Sequence, residues 1–157
     1  MAEVRIATIA DATELVRLRA VMLASMDGRE PDGDEWRQAA LATLRSRLGE
    51  PEPTMTAFVV DHPEHAGRLA ACAVGTVEHR LGGPNNPTGR VGYVFNVSTD
   101  PDQRRRGYSR QCVTALLDWF RHQDIRKIDL RATEEAEPLY RSLGFVRTRD
   151  PAMRLTS

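Results

Sequence analysis

Two cysteines, Cys72 and Cys112, are all that this 157-residue chain contains. They are too far apart for CxxC chemistry, and two do not make a disulfide framework. Each sits in an apolar context and reads as a reduced core residue. No apolar run approaches the ~20 residues of a membrane span. Met1-Ala2-Glu3-Val4-Arg5 lacks the apolar stretch of a signal peptide, so a soluble cytoplasmic protein is the expectation. Charge of either sign is also missing in excess: 22 basic residues face 22 acidic ones. The whole-molecule charge therefore predicts no nucleic-acid or membrane partner. His62-Pro63-Glu64-His65 is a ligand-like pair in a turn, without a third or fourth ligand near it in sequence, so no metal is expected.

What is present is a normal globular balance, with 41% apolar and 28% charged residues. The length suits one domain, and no repeat, linker or low-complexity stretch divides residues 1–157. Val4 to Thr8 alternates as a short strand does. Asp11-Ala12-Thr13-Glu14 has capping-box spacing and predicts a helix with Leu15, Leu18 and Met22 on one face. That helix runs out near Gly28. A second, from about Asp34, carries Trp36, Ala40, Leu44 and Leu48 along one stripe and ends at Gly49.

The period then changes. Thr56 to Val60 and Leu69 to Glu78 read as strands, and Val91 to Thr99 as a nearly all-apolar internal one. The following helix places Cys112, Val113, Leu116, Leu117 and Phe120 on its buried side, with His122 at its end, where it suits the dipole. Ile125 to Leu130 reads as a strand. A short helix opens near Pro138 and stops at Gly144, and Phe145-Val146 and Met153-Arg154-Leu155 suggest closing strands. This order describes an α/β domain on a mixed sheet, flanked by about four helices, with a loop–helix ligand site at the end of a central strand.

Val97-Ser98-Thr99-Asp100-Pro101-Asp102-Gln103-Arg104-Arg105-Arg106-Gly107-Tyr108-Ser109 is the most informative stretch. It leaves a strand, turns at a proline, crosses a basic loop and begins a helix. The N–H groups of Arg105 to Arg110 then lie in or beside a first helical turn, where a diphosphate can satisfy several at once. Gly107 lets the backbone approach a ligand, and Arg104, Arg105 and Arg106 add charge. The stretch resembles the central motif of the GNAT N-acetyltransferases, Gln/Arg-x-x-Gly-x-Gly/Ala after a strand ending Val-x-Val-x-Pro. Arg104 takes the first place, Gly107 the first glycine, and Ser109 stands where Gly or Ala is usual. Ser109 is small and its hydroxyl can cap the helix. Pro138-Leu139-Tyr140-Arg141-Ser142-Leu143-Gly144-Phe145 resembles the C-terminal pattern of the same family, and the element order agrees along the whole chain.

The resemblance implies a GNAT-like fold with a splayed central strand and acetyl-CoA as cosubstrate, bound by Val97, Ser98, Thr99, Arg104 to Arg110, Thr133 and Tyr140. Val97 N–H would polarise the thioester carbonyl as an oxyanion hole does, and Thr99 would bond the pantetheine amide. Thr133 stands where the family often has an asparagine. Tyr140 maps onto the acid that protonates the departing thiolate. Transfer to a primary amine would be direct, since neither cysteine falls on a ligand-facing position. The amine needs a base, for which Glu78, His79 and Glu134 are candidates and Glu78 the preferred one. Asn96, unusual in an apolar strand, orients substrate or ties strands together. The acidic segment Asp27 to Glu35 would form one wall of the acceptor site and attract a cation, or is simply a solvated loop. The acceptor is a small amine, an antibiotic or a peptide or protein amine. A homodimer is compatible with the sequence. A non-catalytic acyl-CoA sensor is the main rival. A nucleic-acid module built on Arg104 to Arg106 is weaker, because no aromatic-rich sheet motif accompanies them.

Overall fold

The structure, a computed structural model, describes residues 3–157. Five strands lie in the order β1-β2-β3-β4-β5: β1 (Val4–Ile6), β2 (Met55–Asp61), β3 (Leu69–His79), β4 (Arg90–Thr99) and β5 (Ile128–Leu130). The first four pair antiparallel, and β5 runs parallel to β4. A parallel pair needs a crossover, supplied by α3 (Tyr108–His122). Helices α1 (Ala12–Asp27) and α2 (Glu35–Arg47) precede β2, and α4 (Glu137–Ser142) follows β5.

Alternation along β3 feeds two cores, one on each face of the sheet. Ala71 and Ala73 pack with Cys112, Val113, Leu116 and Phe120 of α3. Cys72 and Val74 pack with Leu15 and Leu18 of α1. Phe120 lies directly on bare backbone: a Cβ at Gly75 would fall 2.8 Å from its ring and one at Gly92 2.9 Å. Those two glycines let α3 sit close to the strands that carry the site.

Three details differ from the sequence expectation. Asp11 does not cap α1; its carboxylate accepts from Thr8 N–H at 2.8 Å and pairs with Arg5 at 2.9 Å. The strong cation draws the carboxylate back towards β1, and Glu14 turns instead to Arg17 and Leu69 N–H. The fifth strand begins at Ile128 rather than Ile125, because Asp124 adopts φ 59° and Ile125 N–H returns to Phe120 carbonyl. Ile125 is thereby buried as the plug below α3. The two closing strands do not form: residues 145–157 carry no strand, and Val146, Met153 and Leu155 are exposed. Glu137 holds Arg147 through two hydrogen bonds of 2.7 and 2.8 Å, drawing the tail to α4. The apolar runs left over are too short to offset the ordering of a ladder.

Candidate functional site

The register of β3 against β4 slips at one point. Cys72 faces Ser98 and Val74 faces Phe95, so Asn96 and Val97 together oppose Ala73. Two residues against one is a β-bulge, which takes backbone groups out of the ladder. Asn96 takes up the distortion at φ 52°, a conformation that asparagine tolerates better than most residues. It is buried, with its side-chain oxygen accepting from Arg19 of α1 at 3.1 Å and its carbonyl from the Cys72 thiol at 3.2 Å. On the other edge, β4 pairs with β5 only from Gly92 to Val94. From Phe95 to Thr99 the strand has no neighbour there among the described residues. The bulge and the splay thus coincide at Val97.

Past Thr99 the chain is clamped before it is released. Asp100 is 1% exposed; its N–H donates to Ala70 carbonyl, and its carboxylate accepts from Arg68 at 2.7 Å and Arg17 at 3.0 Å. Burial pushes that carboxyl up, but the hydrogen bond from Arg68 and the charges of Arg17 and Arg68 outweigh it and hold it below its usual range. Asp102 is bonded by His62 Nε2 at 3.0 Å. Pro101–Gln103 make one 3-10 turn, after which Arg104, Arg105, Arg106 and Gly107 are exposed. Their backbone N–H groups find no acceptor, and the three guanidiniums no carboxylate, among the described residues. Arg105 sits at φ 64° and Gly107 at φ 77°, so the loop is wound to present its N–H groups beside the start of α3. A Cβ on Gly107 would meet nothing within 4 Å, so the space there is open to a ligand. This donor set, with its free cations and free N–H groups, fits the diphosphate of a coenzyme.

Several site residues behave differently from their neighbours. Ser109 does not cap α3, whose N-cap is Gly107; its hydroxyl bonds that of Thr99, tying the strand end to the helix start. Tyr108 buries its ring in the core, leaving only its N–H for a ligand. Arg110 reaches Ser142 of α4 at 2.7 Å. Ser98 is buried, while Val97 is half-buried against the α3 core. Thr133 is exposed, and its hydroxyl accepts from Ala136 N–H at the start of α4. Tyr140 is 6% exposed and packs edge-on against Phe145. Burial pushes its phenol above the ordinary tyrosine value, and the hydroxyl has no hydrogen-bond partner among the described residues. Its ring forms part of the wall of a cavity of about 310 Å³ beside Ile128, Leu130 and Pro151.

Glu78 lies at the far end of β3, opposite Val91. Val97 lies six positions beyond Val91, roughly 20 Å along an extended strand. The carboxylate is exposed and bonded to Arg80 at 3.0 Å, and that hydrogen bond lowers its pKa. The structure does not bring it to the Val97 end. His79 and Glu134 are exposed on surface segments. Burial pushes both thiols up, Cys72 to about 12.

Sequence spacing missed the third partner of the histidine pair. His62, His65 and Asp102 place possible ligand atoms within 4.8 Å of one another. The ring of His62 is otherwise engaged: Nδ1 accepts from Glu64 N–H at 3.1 Å, which leaves the proton of the neutral ring on Nε2, facing Asp102. That arrangement is a tie between the β2–β3 turn and the basic loop, and a cation on Nε2 would disrupt it. Asp100, Arg17 and Arg68 were also missed, because their contacts span 83 and 32 positions. A lone Asp before Pro carries no sign of them.

Residues 17–145 match the acetyltransferase (GNAT) family. An 86-residue stretch is 34% identical to the UPF0039 protein C11D3.02c of Schizosaccharomyces pombe, covering 54% of this chain and 51% of that protein. The chain thus spans about half the length of that curated relative. Among solved structures, a predicted acetyltransferase from Clostridium acetobutylicum, solved with acetyl-CoA, aligns with TM-score 0.84 and 25% identity, covering 99% of this chain and 96% of the other. A GCN5-related N-acetyltransferase from Ralstonia eutropha aligns with TM-score 0.78 and 23% identity over 99% of each.

Proposed function

Because the chain belongs to the GNAT acetyltransferase family, we propose that it transfers an acetyl group from acetyl-CoA directly to a primary amine. The observation that carries this is the coincidence of three features: the bulge at Asn96–Val97, the splay of β4 from β5, and the unfilled donors of Arg104 to Gly107. A fixed N–H dipole at Val97, next to a diphosphate cradle, suits a thioester carbonyl on which negative charge develops. Ser98, Thr99 and the first turn of α3 from Tyr108 to Arg110 are assigned to the same cradle, and Thr133 to the coenzyme by resemblance.

In the reaction the amine nitrogen attacks the acetyl carbon, the C–N bond forms and the C–S bond breaks. Tyr140 supplies the proton taken by the departing sulfur and regains one from solvent after transfer; a phenol whose pKa is raised by burial stays protonated for that purpose. The amine proton passes to solvent, because Glu78 is remote and held by Arg80. A covalent acetyl-enzyme has no good nucleophile, since both thiols are buried and hard to ionise. No helix among the described residues is long and apolar enough to cross a membrane, and the protein works in the cytoplasm, where acetyl-CoA is available and its cysteines stay reduced. It needs no metal for this chemistry.

The test is release of free thiol from acetyl-CoA in the presence of pooled amines, amino acids, peptides and aminoglycosides. Release that depends on the amine supports the proposal. Coenzyme binding without release from any pool would favour the sensor reading.

A further inference from the structure

Arg19 is half-buried as a residue, and its guanidinium has no carboxylate within salt-bridge distance among the described residues. Arg17, two positions earlier on α1, has two: Glu14 and Asp100. Removing a cation partly from water without a counter-charge is unfavourable, unless a ligand supplies the charge. Arg19 donates once, to Asn96 Oδ1 at 3.1 Å, and a guanidinium carries five N–H donors. Asn96 immediately precedes Val97, and β5 leaves this part of β4 uncovered. Phe95, packed on the α1 side of the sheet, stacks with Tyr93 at 6.2 Å between ring centroids, so an apolar platform continues from the same place.

Resting on the acetyl-transfer reading, we infer that Arg19 selects the acceptor: an amine that carries a carboxylate, held by the guanidinium while its nitrogen faces the acetyl group. A planar carboxylate accepts two parallel hydrogen bonds from such a fork. One free cation matches one negative charge. A phosphate dianion calls for more, and Arg17, the nearest other cation on α1, is already committed to Glu14 and Asp100.

The experiment uses matched amines that differ only as carboxylate or carboxamide, namely free amino acids and their amides, with thiol release as readout. The amides have less basic amino groups, so at neutral pH a larger share of them is unprotonated and ready to attack, and a preference for the acids runs against that advantage. We expect kcat/KM to favour the acid of a pair roughly ten- to a hundredfold, the scale of a charged hydrogen bond. Arg19→Gln keeps an N–H donor for Asn96 but loses the charge, and the acid-to-amide ratio should collapse towards one. A ratio that stays unchanged while both rates fall would mean that Arg19 only holds the bulge, and would overturn the inference. A wild-type preference for amides would also overturn it. A binding arm separates this from failure of the transferase reading. N-acetylated amino acids and their amides are titrated into protein saturated with coenzyme A. Tighter binding of the acids, lost in Arg19→Gln, supports carboxylate recognition whether or not turnover is seen, and equal binding removes it.

Discussion

Asp100 accepts from Arg68 Nε at 2.7 Å just past the end of β4, where the path to the basic loop begins. Replacing that carboxylate with an amide would leave Arg68 and Arg17 facing a neutral group. Both arginines keep some contact with water, so the loss should be smaller than for a fully buried pair. Asp100→Asn should reduce stability by about 2 kcal/mol and weaken coenzyme A binding through a loosened loop. The folded carboxyl titrates below its usual value. Its contribution is therefore complete above about pH 4 and is lost as pH falls through the lower folded value. Denaturant titrations from pH 7 down to pH 3 should show the wild type losing stability at the acid end, and Asp100→Asn losing less there. Parallel acid profiles would assign the sensitivity to other carboxylates.

Tyr140→Phe removes one hydroxyl that no described residue bonds, and keeps the ring that packs on Phe145. Folding and coenzyme A affinity should persist, while kcat falls roughly 10²-fold, the scale of a lost general acid. The KM for acetyl-CoA should change little. Because burial raises the phenol, the wild-type rate should show no fall from loss of this acid until above the ordinary tyrosine range. Wild-type turnover in a chemistry-limited assay of the variant would assign Tyr140 to packing.

Arg105 holds φ 64°, a conformation that disfavours any residue with a Cβ. Arg105→Gly and Arg105→Ala both lose the charge, so their difference isolates the backbone. The glycine variant should be more stable by roughly 1 kcal/mol, and should retain more coenzyme A affinity. The reverse order, measured by thermal unfolding with and without coenzyme A, would mean that the loop does not hold this winding in solution.

Cys72 and Cys112 are fully buried, with Cys72 pushed up to about 12. Thiol-directed alkylation of the native protein at pH 8 should leave its activity intact. Incubation with acetyl-CoA alone should produce no acetylated protein that survives denaturation, as read by mass spectrometry. A stable acetyl-enzyme would replace direct transfer with a two-step route.

The sheet, the three longer helices and the ligand loop were legible because each is local. Runs of small and β-branched apolar residues marked β2 to β4, the α3 stripe from Cys112 to Phe120 marked its buried face, and Arg104 to Ser109 form one short motif. What stayed hidden is non-local. The ion cluster at Asp100 joins α1, the turn before β3 and the chain just past β4, and the slip of β4 at Asn96 depends on what β3 presents opposite. Asn96 was conspicuous as a polar residue in an apolar strand, but only pairing shows it as the bulge. The closing strands failed for a related reason: Met153 and Leu155 alternate as a strand should, yet alternation without a neighbour to pair with leaves them in solvent. Glu78 read well as a carboxylate at a strand end, but the sequence does not say which end faces the ligand.

Coenzyme A binding to the loop from Arg104 to Ser109 is the claim on which the rest depends, and thermal unfolding in the presence of the coenzyme tests it most directly. A ligand that binds only the folded state adds about 2.7 kcal/mol at a hundred times its dissociation constant. Coenzyme A should therefore raise the Tm by several degrees, the 3′-dephospho form should do so less, and Gly107→Glu should abolish the effect by placing bulk and negative charge where the diphosphate belongs. Equal shifts with adenosine and coenzyme A, or an undiminished shift in Gly107→Glu, would contradict it.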